Sequence, residues 1–234
     1  MANFPRRFYR QVDIVPAVAG WQIALDGKLL RSPAKGDLVL PTEQLAAALR
    51  AEWDAQQEHV KPHTMPLMQL ASTAVDRVAL NHVKVSVETA GYAGSDLLCY
   101  RAESPEELVR RQMEAWQPLL DWGNRRFDTA LRATTGIIAI EQSADSLARF
   151  TQVVQALDPW QLTAVASLTG STGSLILALA VLEQHQTAAQ AVQAAQLDEL
   201  FQAERWGDDA EAVQRRRAVA QDIADAARFL QLLV

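Results

Sequence analysis

The sequence predicts an α+β protein. A small N-terminal antiparallel β-containing domain, with packed helices, is expected over residues 1–140. An all-α C-terminal helical domain is expected over 141–234. Three observations predict this division. Alternating apolar residues and turn dipeptides fill the first forty positions. From Thr42 onward, apolar residues recur three and four apart, the period of a helix buried on one face. The 234-residue length suits one large domain or two small ones.

The β elements come first. Arg7 to Val15 carries Phe8, Tyr9, Val12, Ile14 and Val15. Trp21, Ile23 and Leu25 alternate with Gln22 and Ala24. Asp26-Gly27 follows, a strong signal for a type I′ hairpin turn, which needs positive φ at both positions. Lys28 to Arg31 is expected to return, Ser32 to Asp37 to turn again, and Leu38 to Leu40 to form a third strand. After Pro41, Thr42 is placed to cap a helix with Leu45, Leu49 and Trp53 on one face. That face should pack Trp53 against the sheet. The stretch His59 to Pro66 reads as a loop. Leu67 to Leu80 and Val83 to Tyr100 read as helices.

Ser104-Pro105-Glu106-Glu107 reads as a helix start, with Ser104 as cap and Pro105 at the first helical position. Val109, Met113, Trp116, Leu120 and Phe127 continue its apolar stripe, and Pro118 inside it should kink the helix. The β-branched run from Leu131 to Ile140 reads as a strand closing the first domain. Helices are then expected from Ser146, Asp158-Pro159, Gly173 or Ser174, and Gln186-Thr187. The last of these should end near Trp206-Gly207. A final helix should span Asp208 to Leu233.

Composition narrows the function. Formal charge is −6, which disfavours a generic grip on nucleic-acid phosphates. The charge is uneven: residues 1–100 hold ten Lys+Arg and ten Asp+Glu, and residues 101–234 hold twelve and eighteen. A partner with an arginine-bearing face would be drawn to the second part. Cys99 is alone, so no intramolecular disulfide is expected. The longest purely apolar run, Leu175 to Leu182, falls far short of the ~20 residues that span a bilayer.

Reaction chemistry is sparse. His59 and His63 have metal-ligand spacing, but Pro62 intervenes and no third ligand follows. Cys99 lies in an apolar setting that suits a packed thiol. Gly170 to Ser174 precedes an apolar helix like a phosphate cradle, but lacks the lysine of a P-loop. Carboxylates gather at Asp198, Glu199, Glu204, Asp208, Asp209 and Glu211, beside Trp206-Gly207. An acid–base pair within Asp198–Asp209 is one reading. An aromatic anchor with negative charge, made for a protein partner, is the other.

Ordered segments carry more. They run Arg7-Phe8-Tyr9, Gly20 to Pro33, Leu40-Pro41-Thr42-Glu43, Glu52-Trp53-Asp54-Ala55-Gln56 and Thr64-Met65-Pro66-Leu67. Asp96 to Arg101, Ser104 to Leu108, Trp116 to Trp122 and Leu197 to Gly207 follow. This series resembles the assembly chaperones of the F-type ATP synthase α subunit, found in mitochondria and alphaproteobacteria, over nearly the whole chain. The resemblance implies a non-enzymatic chaperone without cofactor, metal or small-molecule substrate. Its partner would be the unassembled α subunit, with no nucleic acid and no membrane insertion. The alternatives are an enzyme built on the carboxylates and an adaptor for another client. The short N-terminus lacks the character of a presequence, so a bacterial cytoplasmic protein is expected, or a processed form in the mitochondrial matrix.

The resemblance also places the client-binding residues: Asp198, Glu199, Gln202, Glu204, Trp206 and Gly207. Trp21, Gly27, Glu52, Trp53 and Asp54 are its structural-motif residues. Family members often carry an acidic residue immediately before the aromatic–Gln pair, where this chain has Leu200. Asp198 is therefore the favoured acidic group, with Glu199 and Glu204 in reserve. Asp198 and Trp206, two turns apart, are expected along one side of their helix.

Overall fold

The Asp26-Gly27 turn organises the start of the chain in the computed structural model, which describes residues 4–136 and 139–234. Both turn residues have positive φ, 49° and 77°, so the hairpin is the tight form that Gly27 permits. The turn joins β2 (Gly20–Leu25) to β3 (Lys28–Leu29), and β1 (Val12–Ala17) pairs antiparallel with β2 on its other edge. Backbone N–H groups of Arg10 and Gln11 donate to the Asp26 carboxylate and hold its pKa below the ordinary range.

The expected third strand at Leu38–Leu40 is reduced to one bridge, Leu40 against Trp21. Pro41 follows and offers no N–H to extend the pairing. The approach is close: a Cβ on Gly20 would lie 2.2 Å from the Leu40 carbonyl oxygen. Helix α1 (Glu43–Asp54) begins as expected, the Thr42 hydroxyl accepting from the Leu45 N–H at 3.1 Å. It packs on β1 and β2, burying Leu45, Leu49 and Trp53.

Helix α2 (Pro66–Thr73) passes into a π-helical turn, Ala74–Val78, and α3 (His82–Gly91) is followed by short 3₁₀ turns through Cys99. The alternation of Val83, Val85 and Val87 is therefore helical: Val85 is buried, while Val83 and Val87 face solvent. Next come β4 (Tyr100–Arg101) and α4 (Glu106–Phe127). Pro105, not Ser104, holds the cap position of α4, and no side chain caps it. The helix runs unbroken through Pro118. Of the strand expected at Leu131–Ile140, β5 (Thr134–Thr135) forms, parallel to β4. Positions 137 and 138 of that stretch lie outside the described residues.

Helices α5 (Ala144–Gln155), α6 (Pro159–Thr172) and α7 (Leu175–Leu182) follow. Seven residues of α7, Leu175 to Val181, are buried, so this short helix is enclosed on all sides. Gly123 of α4 permits the contact with α7, because a Cβ there would meet Ile176 Cδ1 at 2.9 Å. The single helix expected from Gln186 to Trp206 is two, α8 (Ala188–Ala195) and α9 (Leu197–Trp206). They break at Gln196, whose side chain donates to the Arg216 carbonyl of α10 (Ala210–Gln231) at 2.8 Å.

The chain divides into two compact units. One takes the residues up to His82 with Pro159–Thr163 and Arg228–Val234; the other takes Val83–Asp158 and Ala164–Ala227. The two units interleave along the chain, and Val83–Asp158 belongs with the second. Helix α4 packs with α5, α7 and α9, which places residues 83–140 with the later helices.

Candidate functional site

Helix α9 has one held face and one free face. Phe201 is its buried anchor, with the guanidinium groups of Arg111 and Arg205 at 5.3 and 5.0 Å from the ring centroid. Arg111 also ties Glu204 to α4 at 2.7 Å while holding Glu107 at 2.8 Å. Asp198 turns to α4 as well: Gln112 Nε2 donates to its Oδ1 at 2.7 Å. Gln112 is 1% exposed, and its own Oε1 accepts from the Ala102 N–H at 2.8 Å. Burial raises the Asp198 pKa, with the Gln112 hydrogen bond acting against the rise.

Glu199, Gln202 and Trp206 follow the three- and four-residue spacing of one helix row, and all three are exposed. Trp206 is 74% exposed, and Leu200 adds a partly exposed apolar side chain. Gly207 then ends the helix at φ 82°, ψ 171°. This is a positive-φ conformation open to glycine, though not the left-handed helical cap. Asp198 and Trp206 therefore do not share a side. Eight residues put them about 80° apart around the axis, and the hydrogen bond to Gln112 turns Asp198 inward. Glu199 is the acidic group on the tryptophan's row.

Asp208 and Asp209 have separate partners. Asp208 pairs with Arg216, and Asp209 accepts from the Ala212 N–H at 2.8 Å as a helix cap. An acid–base pair needs two groups addressing one reacting centre, and this dispersal does not fit one. Among the described residues, no group of three or more His, Cys, Asp or Glu could hold a metal ion. Cys99 is fully buried, and burial with Asp96 nearby pushes its thiol up to about 12, far from a reactive thiolate.

The turn at Gly170–Ser174 carries an anion from the chain itself. Ser174 caps α7, and its hydroxyl donates to Asp96 Oδ1 at 2.7 Å. The Ile176 N–H donates to Asp96 Oδ2 at 3.1 Å. A carboxylate thus fills the position a phosphate would take.

The N-terminal motif residues sit in the scaffold. Glu52 Oε1 and Oε2 accept from the N–H groups of Leu67 and Met68 at 2.9 and 2.8 Å, capping α2. The Trp53 carbonyl accepts from the Tyr9 hydroxyl at 2.6 Å, and their rings meet edge to face. Asp54 faces Arg7 at 3.5 Å. Trp21 pairs with Leu40, and Gly27 makes the hairpin turn. Sequence reasoning did not single out Arg101 and Gln112, which link β4, α4 and α9. The Gln112 side chain meets partners 10 and 86 positions away, and the Arg101 guanidinium reaches Gln112 and Gln117 11 and 16 positions on, where no local pattern reports them.

An exposed row ending in a tryptophan on an anchored helix suits contact with another protein, and the class that comparison with known proteins gives is a chaperone. Residues 6–124 match the family model described as ATP12 chaperone protein. The chain belongs to that family, whose members serve ATP synthase assembly. Among its relatives, the mitochondrial atp12 protein of Schizosaccharomyces pombe is 27% identical over 214 residues, covering 86% of this chain and 74% of the relative. The crystal structure of Atp12 from Paracoccus denitrificans is 42% identical with a TM-score of 0.94, covering 98% of this chain and 99% of that one. A lysine-for-aspartate mutant of the same Paracoccus protein matches at 41% identity and a TM-score of 0.94, with 98% of each chain covered. No helix among the described residues is long and apolar enough to cross a membrane.

Proposed function

We propose that this chain holds the unassembled α subunit of ATP synthase and yields it to the β subunit during assembly. The observation that carries the reading is Trp206, 74% exposed at the end of a helix whose opposite face is fixed to α4. A solvent-facing tryptophan is a residue enriched at the centre of protein interfaces, and charge beside it suits the polar rim. Glu199, Gln202 and Trp206 form the contact row. Asp198 and Glu204 flank it, and Gly207 frees the chain beyond it.

An orphan subunit exposes apolar surface that aggregates. Covering about 800 Å² of it is within reach of a protein of this size. Release then requires a tighter-binding competitor and no chemistry, so the reading is non-enzymatic, without nucleotide, cofactor or small-molecule substrate. The encounter takes place in the bacterial cytoplasm, or in the mitochondrial matrix for a eukaryotic form.

Titration of purified α subunit onto the wild-type chain, Trp206→Ala and Asp198→Lys, with melting curves for each, tests the reading. Trp206→Ala is expected to melt like wild type and to bind at least about 2 kcal/mol more weakly. Asp198→Lys is expected to keep the fold and lose about 2–5 kcal/mol of affinity. Retention of the fold by the Paracoccus lysine-for-aspartate mutant supports the feasibility of such a change. Unchanged affinity in Trp206→Ala would refute the assignment of the row. A destabilised Asp198→Lys with unchanged affinity would reduce Asp198 to a tether between α9 and α4.

A further inference from the structure

Arg101 ends β4 and is only 6% exposed. Its Nε donates to the Leu98 carbonyl at 2.7 Å. Its other contacts are long and neutral: Nη1 to the Gln112 carbonyl at 3.4 Å and Met113 Sδ at 3.7 Å, and Nη2 to Gln117 Oε1 at 3.4 Å. Charge-assisted hydrogen bonds are ordinarily about 2.7–2.9 Å, so both terminal nitrogens are poorly held. No carboxylate among the described residues lies within ion-pair distance of this guanidinium. Asp121 acts on it from one side chain away, through Gln117, whose amide donates to Asp121 at 2.8 Å.

The neighbouring arginines of α4 are different. Arg110 and Arg111 lie toward solvent, and both are paired, with Glu107, Glu114 and Glu204. The fold pairs Arg110 and Arg111, which water could have satisfied, and gives the buried Arg101 no carboxylate within ion-pair distance among the described residues. Stacking of its guanidinium 5.6 Å from the Trp116 ring offsets part of that cost. Burial holds its pKa below the ordinary value, but an arginine stays charged.

The guanidinium lines a cavity of about 380 Å³ together with Val109, Met113 and Gln117 of α4 and Ala133, Thr134 and Thr135 at β5. Among the described residues, no other charged side chain lines it. Met113, 49% exposed, puts an apolar side chain beside the guanidinium. We propose that this cavity receives an aspartate or glutamate side chain of the protein client, docked on Arg101, an inference that rests on the chaperone reading above.

The chemistry favours a tethered carboxylate over a free one. One cation and two threonine hydroxyls offer a small carboxylate few contacts in return for its hydration. A side chain on a client already held elsewhere arrives at high effective concentration. The Gln112 carbonyl faces Arg101 while its side chain holds Asp198, so one turn of α4 serves both the cavity and α9.

Thr135 lies opposite Arg101 in the β4–β5 register, on the same face of the pair. Thr135→Glu would supply the missing carboxylate from within, and Thr135→Gln is its neutral control at an exposed position. The Glu variant is expected to melt above the Gln variant and to bind purified α subunit at least about tenfold more weakly. Equal melting temperatures would overturn the carboxylate site. A higher-melting Glu variant that binds α as the Gln variant does would overturn the client as its occupant and leave a free carboxylate. Failure of the wild-type chain to bind α would overturn the chaperone reading and the client with it. The melting comparison would then still report on the cavity.

Discussion

Asp96 is fully buried at the start of α7, where Ser174 and the Ile176 and Leu98 N–H groups all donate to it. Burial pushes its carboxyl up from 3.8 to about 6, against these hydrogen bonds. The folded chain therefore holds this proton more tightly than the unfolded one. Between about pH 4 and 6 the folded form binds more protons, so the group's contribution to stability falls as pH rises through that window. Asp96→Asn turns an amide N–H₂ toward donors, and leaving a buried donor unpaired costs about 1–3 kcal/mol. Denaturant melts of both proteins across pH 4 to 7 are expected to show the variant less stable, with the gap narrowing up to about pH 6. A gap that widens with pH would mean that the hydrogen bonds outweigh desolvation. Asp96 lies in a segment that carries the family resemblance, yet nothing in the sequence marks it as the anion at the Ser174 turn, because the two meet across 78 positions.

Helix α4 is the element on which the second unit depends, and Gly123 shows how closely it is fitted. A side chain at 123 must displace Ile176 on α7, itself fully buried. Gly123→Val is expected to destabilise by about 1–3 kcal/mol through overpacking, measured by denaturant melts. Unchanged stability would mean that α7 has room to shift. Elements written in local chemistry were legible in the sequence: the Asp26-Gly27 turn, the Thr42 cap, and the buried face Leu45, Leu49 and Trp53. Elements decided by distant partners were not. Leu38–Leu40 is apolar and β-like, but among the described residues only Leu40 finds a bridge partner, Trp21, before Pro41. The helix expected to run to Trp206 stops at Gln196, which is held by a carbonyl twenty residues on. The candidate row was legible as composition, but its membership required the turn of Asp198 toward Gln112, which is a tertiary fact.

At the scale of the whole chain, the acidic excess lies entirely in residues 101–234, the stretch that contains α9 and the Arg101 cavity. Attraction between that stretch and a basic client surface would weaken with salt, because exposed charges are screened beyond about 8–10 Å at physiological ionic strength. The apolar contact of Trp206 would not weaken in the same way. Both serve one claim, that the chain protects the α subunit before assembly. The measurement that tests this most directly is light scattering from α subunit diluted out of denaturant, with and without an equimolar amount of the chain. Scattering is expected to be suppressed by the wild-type chain and much less by Trp206→Ala, and β subunit added afterwards is expected to release α into an α–β complex. Scattering that is the same with and without the wild-type chain would contradict the claim.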